Sequence, residues 1–354
     1  MFWNKSQKGK VYVGLSGGVD SAVSAALLKK EGYDVTGLFI RIAIEGYPCP
    51  AAEDRIEAMR VAAHLKIPFI EIDLSKEYQE RVFAYAVKEF ERGRTPNPDA
   101  LCNKEIKFGI FYDFARNAGA EYVATGHYSR LIKNELYVSI DDTKDQSYFL
   151  WAVPKAHLEH ALFPVGGFRK ARVRKLAKKF GLPNNARPDS QGLCFLGDIS
   201  ITDMLMRETH PKPGEVRLET GEVVGSHRGV ELYTLGQRHG FELKNQNSDV
   251  EPHYVIAKNL DTNTLTVSTS KFPKGVSRTK LLLHDTNWIG KISPGQYKAR
   301  FRYRQQLISC TLSENLTEVI LHEPHYVPEG QSLVLYNGDR CLGGGIINSA
   351  SVFA

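Results

Sequence analysis

Ser16-Gly17-Gly18-Val19-Asp20-Ser21 has the composition of a phosphate cradle. Glycines let the backbone turn its N–H groups toward an anion, and a following helix adds the positive end of its dipole. Ser16 and Ser21 supply hydroxyl donors. Asp20 is out of place in a purely anionic site unless a metal ion sits between it and the phosphate. Two other cradles are excluded by spacing. A P-loop needs G-x-x-x-x-G-K-[ST], but no Lys follows Gly18, and the dinucleotide fingerprint G-x-G-x-x-G is absent.

Three further segments carry reactive side chains. In Thr95-Pro96-Asn97-Pro98-Asp99-Ala100-Leu101-Cys102-Asn103 the two prolines predict an extended loop, presenting Asp99 and Cys102 rather than burying them in a helix. Asp189-Ser190-Gln191-Gly192-Leu193-Cys194-Phe195 is a second cysteine in a polar, glycine-containing loop. Lys144-Asp145-Gln146-Ser147-Tyr148-Phe149-Leu150 is a polar cluster entering an apolar run. A single cysteine is most simply a small buried hydrophobe. Two loop thiols near such a cradle suit sulfur transfer, in which a persulfide needs a thiolate carrier and a second thiol to attack it. Cys102 and Cys194, roughly ninety residues apart, would have to converge in space. The five cysteines (49, 102, 194, 310 and 341) are odd in number and scattered, and no C-x-x-C occurs. That argues against a disulfide framework and a closed zinc site, and Cys310 and Cys341 are expected to be packing residues.

The elements that must position these groups alternate in the first half. Val11–Leu15 reads as a strand, and Val19, Ala22, Val23, Ala26 and Leu27 mark an amphipathic helix behind the cradle. Then follow Val35–Ile40 (strand), Ala51–Leu65 (helix), Phe69–Ile72 (strand), Lys76–Arg92 and Phe108–Ala118 (helices) and Tyr122–Thr125 (strand). Such alternation predicts a parallel sheet wrapped by helices, with ligands at the carboxyl ends of its strands, where the cradle, Ile40 and Gly126-His127 lie. Past Ile201 the pattern shortens. Glu231–Leu235, Tyr297–Tyr303 and Ser332–Tyr336 read as strands, and the end of the chain as a small antiparallel barrel. The expected fold class is α/β: a parallel-sheet domain carrying the cradle over 1–203, a small mixed or β central domain over 204–275, and a C-terminal antiparallel β-barrel over 276–354.

The 354 residues are 42% hydrophobic and 24% charged, with a net charge of +6. No apolar run reaches membrane-spanning length, and the first residues lack a signal peptide's apolar core, so a cytoplasmic location is expected. Between Pro164 and Pro183 lie Arg169, Lys170, Arg172, Arg174, Lys175, Lys178 and Lys179 with no acidic residue, above an apolar stripe of Val173, Leu176, Ala177 and Phe180. This is either a solvated helix face or a grip on a nucleic-acid backbone.

The SGGxDS string resembles the PP-loop ATP pyrophosphatases, which cleave ATP to AMP and pyrophosphate while adenylating a substrate. The remaining motifs narrow this. TPNPDxLCNKEIKF, Ala124-Thr125-Gly126-His127-Tyr128, KDQSYFL, DSQGLCF, Tyr233–Arg238, Arg302–Gln305 and Gly330-Gln331 together make the chain resemble the bacterial tRNA-specific 2-thiouridylases from end to end. The resemblance implies sulfur transfer to C2 of the wobble uridine in a tRNA anticodon stem-loop, with ATP and Mg2+ as cofactors. Gly14, Leu15, Ser16, Gly17, Gly18, Val19, Asp20, Ser21, Ile40 and Gly126 would bind ATP, with Mg2+ reached through Asp20 and no dedicated protein metal site. Cys194 matches the persulfide carrier, Cys102 the nucleophile that later pairs with it in a transient disulfide, and Asp99 an acid/base. Asn97, Pro98 and Asp99 match the segment that touches the target base. His127, Lys144, Asp145, Gln146, Arg302, Tyr303 and Gln331 match tRNA contacts. The implied partners are tRNA and a persulfide-donating relay protein or cysteine desulfurase, with no membrane, and a monomer is expected. Ile40 stands where relatives often carry Met, Cys49 receives no role, and Lys244–Asp249 is more polar than the pattern. The competing reading is a PP-loop ligase forming amide or guanidino groups on a small metabolite, which needs neither a thiol relay nor an RNA platform.

Overall fold

The computed structural model describes residues 8–47, 51–189, 200–244, 251–270, 272 and 278–353. Its first sheet is five-stranded and wholly parallel, in the spatial order Phe69–Asp73, Asp34–Arg41, Lys10–Gly14, Tyr122–Ala124, Ala161–Leu162. Strand order reverses at Lys10–Gly14, which opens a crevice at its carboxyl end. The cradle fills that place, followed at once by the helix Val19–Glu31. Val173, Leu176 and Ala177 of the basic helix Lys170–Lys179 join Val19, Ala22 and Val23 in one apolar cluster. The stripe in the sequence therefore packs this helix onto the cradle helix.

A second sheet of mixed direction runs Glu242–Leu243, Val223–His227, Gly214–Leu218, Thr264–Ser268, Tyr254–Asn259. Its core is Val216, Val230, Tyr233, Val255, Leu265 and Val267. The third unit is a closed antiparallel barrel: Arg278–Trp288, Glu318–Leu321, Ile308–Leu312, Gly295–Arg300, Ser332–Asn337 and Arg340–Phe353, the last pairing back to the first. Closure removes the exposed strand edges. Parallel-sheet domain, mixed central domain and terminal barrel agree with the expected fold class. Among the described residues, no helix is long and apolar enough to cross a membrane.

One element was not anticipated. Ser129–Ile132 and Glu135–Val138 form a hairpin whose second strand pairs with Arg340 and Cys341, so the first unit extends the barrel's own sheet. Lys133 and Asn134 both have positive φ (51° and 61°), the geometry of a two-residue I′ turn. The signal was present as alternating SRLI and ELYV around Lys-Asn.

Several local expectations are corrected. Pro98–Cys102 is a helix, with Pro98 at its first position and Asn97 as N-cap, its side chain accepting from the Ala100 N–H. Only Thr95, Pro96 and Asn97 of the segment stay non-helical: a proline at the first helical turn loses no hydrogen bond, so it starts a helix as readily as it blocks one. The helix continues through wide i→i+5 turns over Asn103–Ile110 into Phe111–Asn117. Val230–Leu232 is a short 3-10 turn, and no strand forms over 231–235. The strand expected to reach Tyr303 stops at Arg300, because the Phe301 and Arg302 N–H groups both turn to Gln305 Oε1.

Candidate nucleotide and thiol site

The cradle is braced from within. The Ser21 hydroxyl accepts from the Ser16 N–H (3.2 Å) and donates to the Gly18 carbonyl (3.1 Å), so it is committed to the loop, whereas Ser16 is exposed. Gly17 has φ +75°, and a Cβ there would lie 2.5 Å from the Asp54 carbonyl oxygen. Asn184 Nδ2 donates to the Gly17 carbonyl at 2.8 Å. Gly126 closes the other side: a Cβ would lie 2.7 Å from the Ser21 nitrogen, so only glycine lets this turn lie against the cradle helix. Leu15, Val19 and Ile40 are buried beside it, and Gly14 backs onto Phe111.

Asp20 sits at the cradle's mouth within a charged cluster. Lys170 Nζ lies 2.8 Å from both of its carboxylate oxygens, and Tyr128 OH donates to it at 2.8 Å. Burial, and then Asp20 itself, push the Tyr128 pKa up, so the phenol stays protonated as a donor. Lys170 also reaches Asp189 (2.8 Å), which Lys144 (2.7 Å) and Arg174 bind as well. Burial would raise the Asp189 carboxyl, but hydrogen bonds from Lys144 and Lys170 overcome it and hold its pKa well below the usual carboxylate range. Asp189 is the first residue of the second cysteine loop. Cys194 and the remainder of DSQGLCF lie outside the described residues, as do Cys49 and residues 245–249.

The residues fit a nucleotide with its metal. Among the described residues no cluster of three or more His, Cys, Asp or Glu could hold a metal ion. A magnesium ion here would be held by Asp20 together with substrate phosphates, which is how this ion is usually bound.

Cys102 ends its short helix fully buried, in the apolar cluster that also contains Leu38, Ile40, Ile106 and Phe111, while Asp99 is partly exposed. The path from this helical run to the cradle is short. Phe108 packs against His127 (ring centroids 6.1 Å), and His127 adjoins Gly126. The other units grip the preceding loop: the Thr95 N–H donates to the Glu329 carbonyl (2.7 Å), Thr95 Oγ1 meets Thr234 Oγ1 (3.2 Å), and Asn97 Nδ2 donates to Ser332 Oγ (3.2 Å).

The expected RNA contacts are mostly internal ties. His127 is 7% exposed and hydrogen-bonded to Thr125 Oγ1 (2.7 Å), with its pKa pushed well below the usual histidine value, by burial and then by Lys107. Asp145 is 4% exposed and paired with Arg300 of the barrel, and it also accepts from Ser147. Burial works against the charge on Arg300, but Tyr336 and Asp145 more than offset it and raise its pKa. Gln146 Oε1 accepts from the Tyr128 N–H (2.9 Å), and Gln331 Oε1 from Tyr148 OH (3.0 Å). Arg302 is exposed and donates to the Leu235 carbonyl (3.1 Å), and the Tyr303 ring lies 4.6 Å from that of Phe149. Cys310 and Cys341 are buried strand residues, and burial pushes both thiols up to about 12.

Tyr128, Lys170, Arg174 and Arg300 were assigned no place in the site from sequence. The four-residue spacing of Lys170 and Arg174 puts them on one helix face, but which carboxylates they meet is set by the docking of that helix.

Three family models match in succession: the tRNA methyl transferase HUP domain over residues 9–198, the tRNA methyl transferase PRC-barrel domain over 202–269, and the aminomethyltransferase beta-barrel domain over 278–347. The chain is 43% identical to the tRNA-specific 2-thiouridylase MnmA of Verminephrobacter eiseniae, covering 97% of this chain and 99% of the relative. It is 42% identical to that of Legionella pneumophila (96% and 98% covered) and 41% identical to that of Chromobacterium violaceum (96% and 92%). Similarity at this level spans 96–97% of the chain, and the chain belongs to the tRNA-specific 2-thiouridylase family.

Proposed function

We propose that this protein is an ATP-dependent tRNA sulfurtransferase that replaces the C2 oxygen of the wobble uridine with sulfur. The observation that carries this reading is a glycine cradle joined through Gly126, His127 and Phe108 to the helical run bearing Asp99 and Cys102, in a chain similar to thiouridylases over nearly its whole length.

ATP lies on residues 14–21, against Ile40 and Gly126. The uracil O2 attacks the α-phosphate, pyrophosphate leaves, and an adenylated base results. Asp99 serves as the acid/base at the uracil, next to Asn97 and Pro98. The terminal sulfur of a Cys194 persulfide attacks C2 and expels AMP, and Cys102 then attacks the Cys194 sulfur. This leaves sulfur on the base and a Cys102–Cys194 disulfide, which a dithiol reductant resets. Asp20 would hold the Mg2+ that shields the nucleotide phosphates. His127, Asp145 and Gln146 position the surrounding turns, while Lys144, Arg302, Tyr303 and Gln331 face the RNA. A persulfide-donating protein loads Cys194, and the enzyme works as a cytoplasmic monomer of three units, 1–203, 204–275 and 276–354.

The test is nucleoside mass spectrometry of unmodified glutamate tRNA incubated with the protein, Mg-ATP and a persulfide donor. The expected result is 2-thiouridine that requires ATP and is lost in Cys194→Ser. No thiolated product, with AMP formed from a small amide donor and acceptor, would support the ligase instead. Asp20→Asn is expected to suppress AMP formation about 10²-fold or more, since it weakens the anchor for the metal–phosphate unit. AMP release at the wild-type rate would show that Asp20 is not part of the nucleotide site.

The basic helix has two faces. Lys170 and Arg174 turn inward, while Arg169, Arg172, Lys175, Lys178 and Lys179 are exposed. Lys175→Glu with Lys178→Glu is expected to weaken tRNA binding and to lower its salt slope by about one per lost phosphate contact. An unchanged slope would make the outer face a solvated surface.

A further inference from the structure

We propose that Lys170 is a phosphate-binding cation of the nucleotide site, supplied by the basic helix and held at the cradle's mouth by Asp20 and Asp189 until a nucleotide arrives. The proposal rests on the cradle being the ATP site.

The cradle itself contains no cation. Residues 14–21 offer backbone N–H groups, one exposed hydroxyl and a carboxylate, and so cannot neutralise a triphosphate. Among the described residues an ammonium stands at its mouth: Lys170 Nζ, 2.8 Å from both oxygens of Asp20 and 2.8 Å from Asp189 Oδ1. Its side chain is 15% exposed, so the head is confined to this cluster rather than dispersed in solvent. The helix that carries it is clamped to the cradle helix by Val173, Leu176 and Ala177, which fixes the root of the side chain beside the phosphate position.

The cluster is built for exchange. One ammonium occupies both Asp20 oxygens, and a metal–phosphate unit needs at least one of them. Asp189 already receives Lys144 and Arg174, so it stays paired when Lys170 moves. A four-carbon stem lets the ammonium swing a short distance without backbone change. Lys170 therefore passes from a carboxylate to a phosphate, and charge is conserved at the cradle's mouth.

The full-length protein tests this by isothermal titration with ATP in the presence of Mg2+, and with adenosine as the ligand lacking phosphate. Lys170→Gln is expected to raise the ATP Kd by about 10- to 100-fold, the range for losing a charge-assisted hydrogen bond. Adenosine affinity should stay within about twofold (~0.4 kcal/mol), because a ligand without phosphate makes no contact with the Lys170 ammonium, and Lys170→Arg should restore most of the ATP affinity. Thermal melting confirms that each variant is folded. Equal ATP affinity in Lys170→Gln and wild type would overturn the proposal. So would a parallel loss for ATP and adenosine, which marks a purely structural role. Failure of the wild-type protein to bind ATP would instead remove the reading of the cradle, and the proposal with it.

Discussion

Cys102→Ala is expected to abolish 2-thiouridine formation while ATP binding and pyrophosphate release persist. The thiol ends the helix Pro98–Cys102, wholly buried beside Leu38, Ile40, Ile106 and Phe111, so alanine removes the reactive atom without placing a new polar group in an apolar cluster. Serine would be the poorer probe, since it adds a hydroxyl that must find a partner there. Under the proposed relay the variant stops at a defined point. Sulfur reaches C2, AMP leaves, and the base stays joined to Cys194 through a disulfide, because no second thiol attacks the carrier. A reducible protein–tRNA adduct on a denaturing gel, with no 2-thiouridine after digestion, is the expected pair of results. Thiolation at the wild-type rate would remove Cys102 from the mechanism.

Arg300→Met is expected to be the most destabilising change, by about 3–5 kcal/mol, the usual cost of stranding one partner of a buried ion pair. Arg300 and Asp145 have side chains only 9% and 4% exposed, and the guanidinium also donates to Ser147 and Tyr336. The pair joins the barrel to the KDQSYFL segment, so its loss loosens the junction that holds Tyr148 on Gln331 and Ser332. Adding Asp145→Asn should recover part of the loss by removing the stranded charge. Denaturant unfolding followed by two probes, one in the barrel and one in the parallel-sheet domain, measures this without assuming a single transition. A change below about 1 kcal/mol would mean that water or another group compensates Asp145.

Both variants act where distant segments meet, and there the legibility of the sequence divides. The cradle was readable because its chemistry is local: two glycines, two serines and an aspartate between an apolar strand and an amphipathic helix specify backbone direction among neighbouring residues. The parallel sheet followed from the alternation of strand and helix, and Ala51–Leu65 appears with the bounds its periodicity implied. The barrel followed from short strands parted by turn residues. The cysteine loop misled, because Pro98 can either block or begin a helix and only the Asn97 cap decides between them.

The charged cluster could not be read at all. Asp20, Lys144, Lys170 and Asp189 are far apart in the chain, and nothing local shows that they meet. Similarly, nothing local tells that Asp145 will be buried against Arg300, or that Glu329, Thr234 and Ser332 will grip residues 95–97. The sequence by itself determined the kind of site, since turn chemistry and periodicity are short-range properties of neighbouring residues. Only the tertiary structure decided which side chains share it: charge pairing and burial depend on through-space distance, which the docking of the basic helix and the barrel sets.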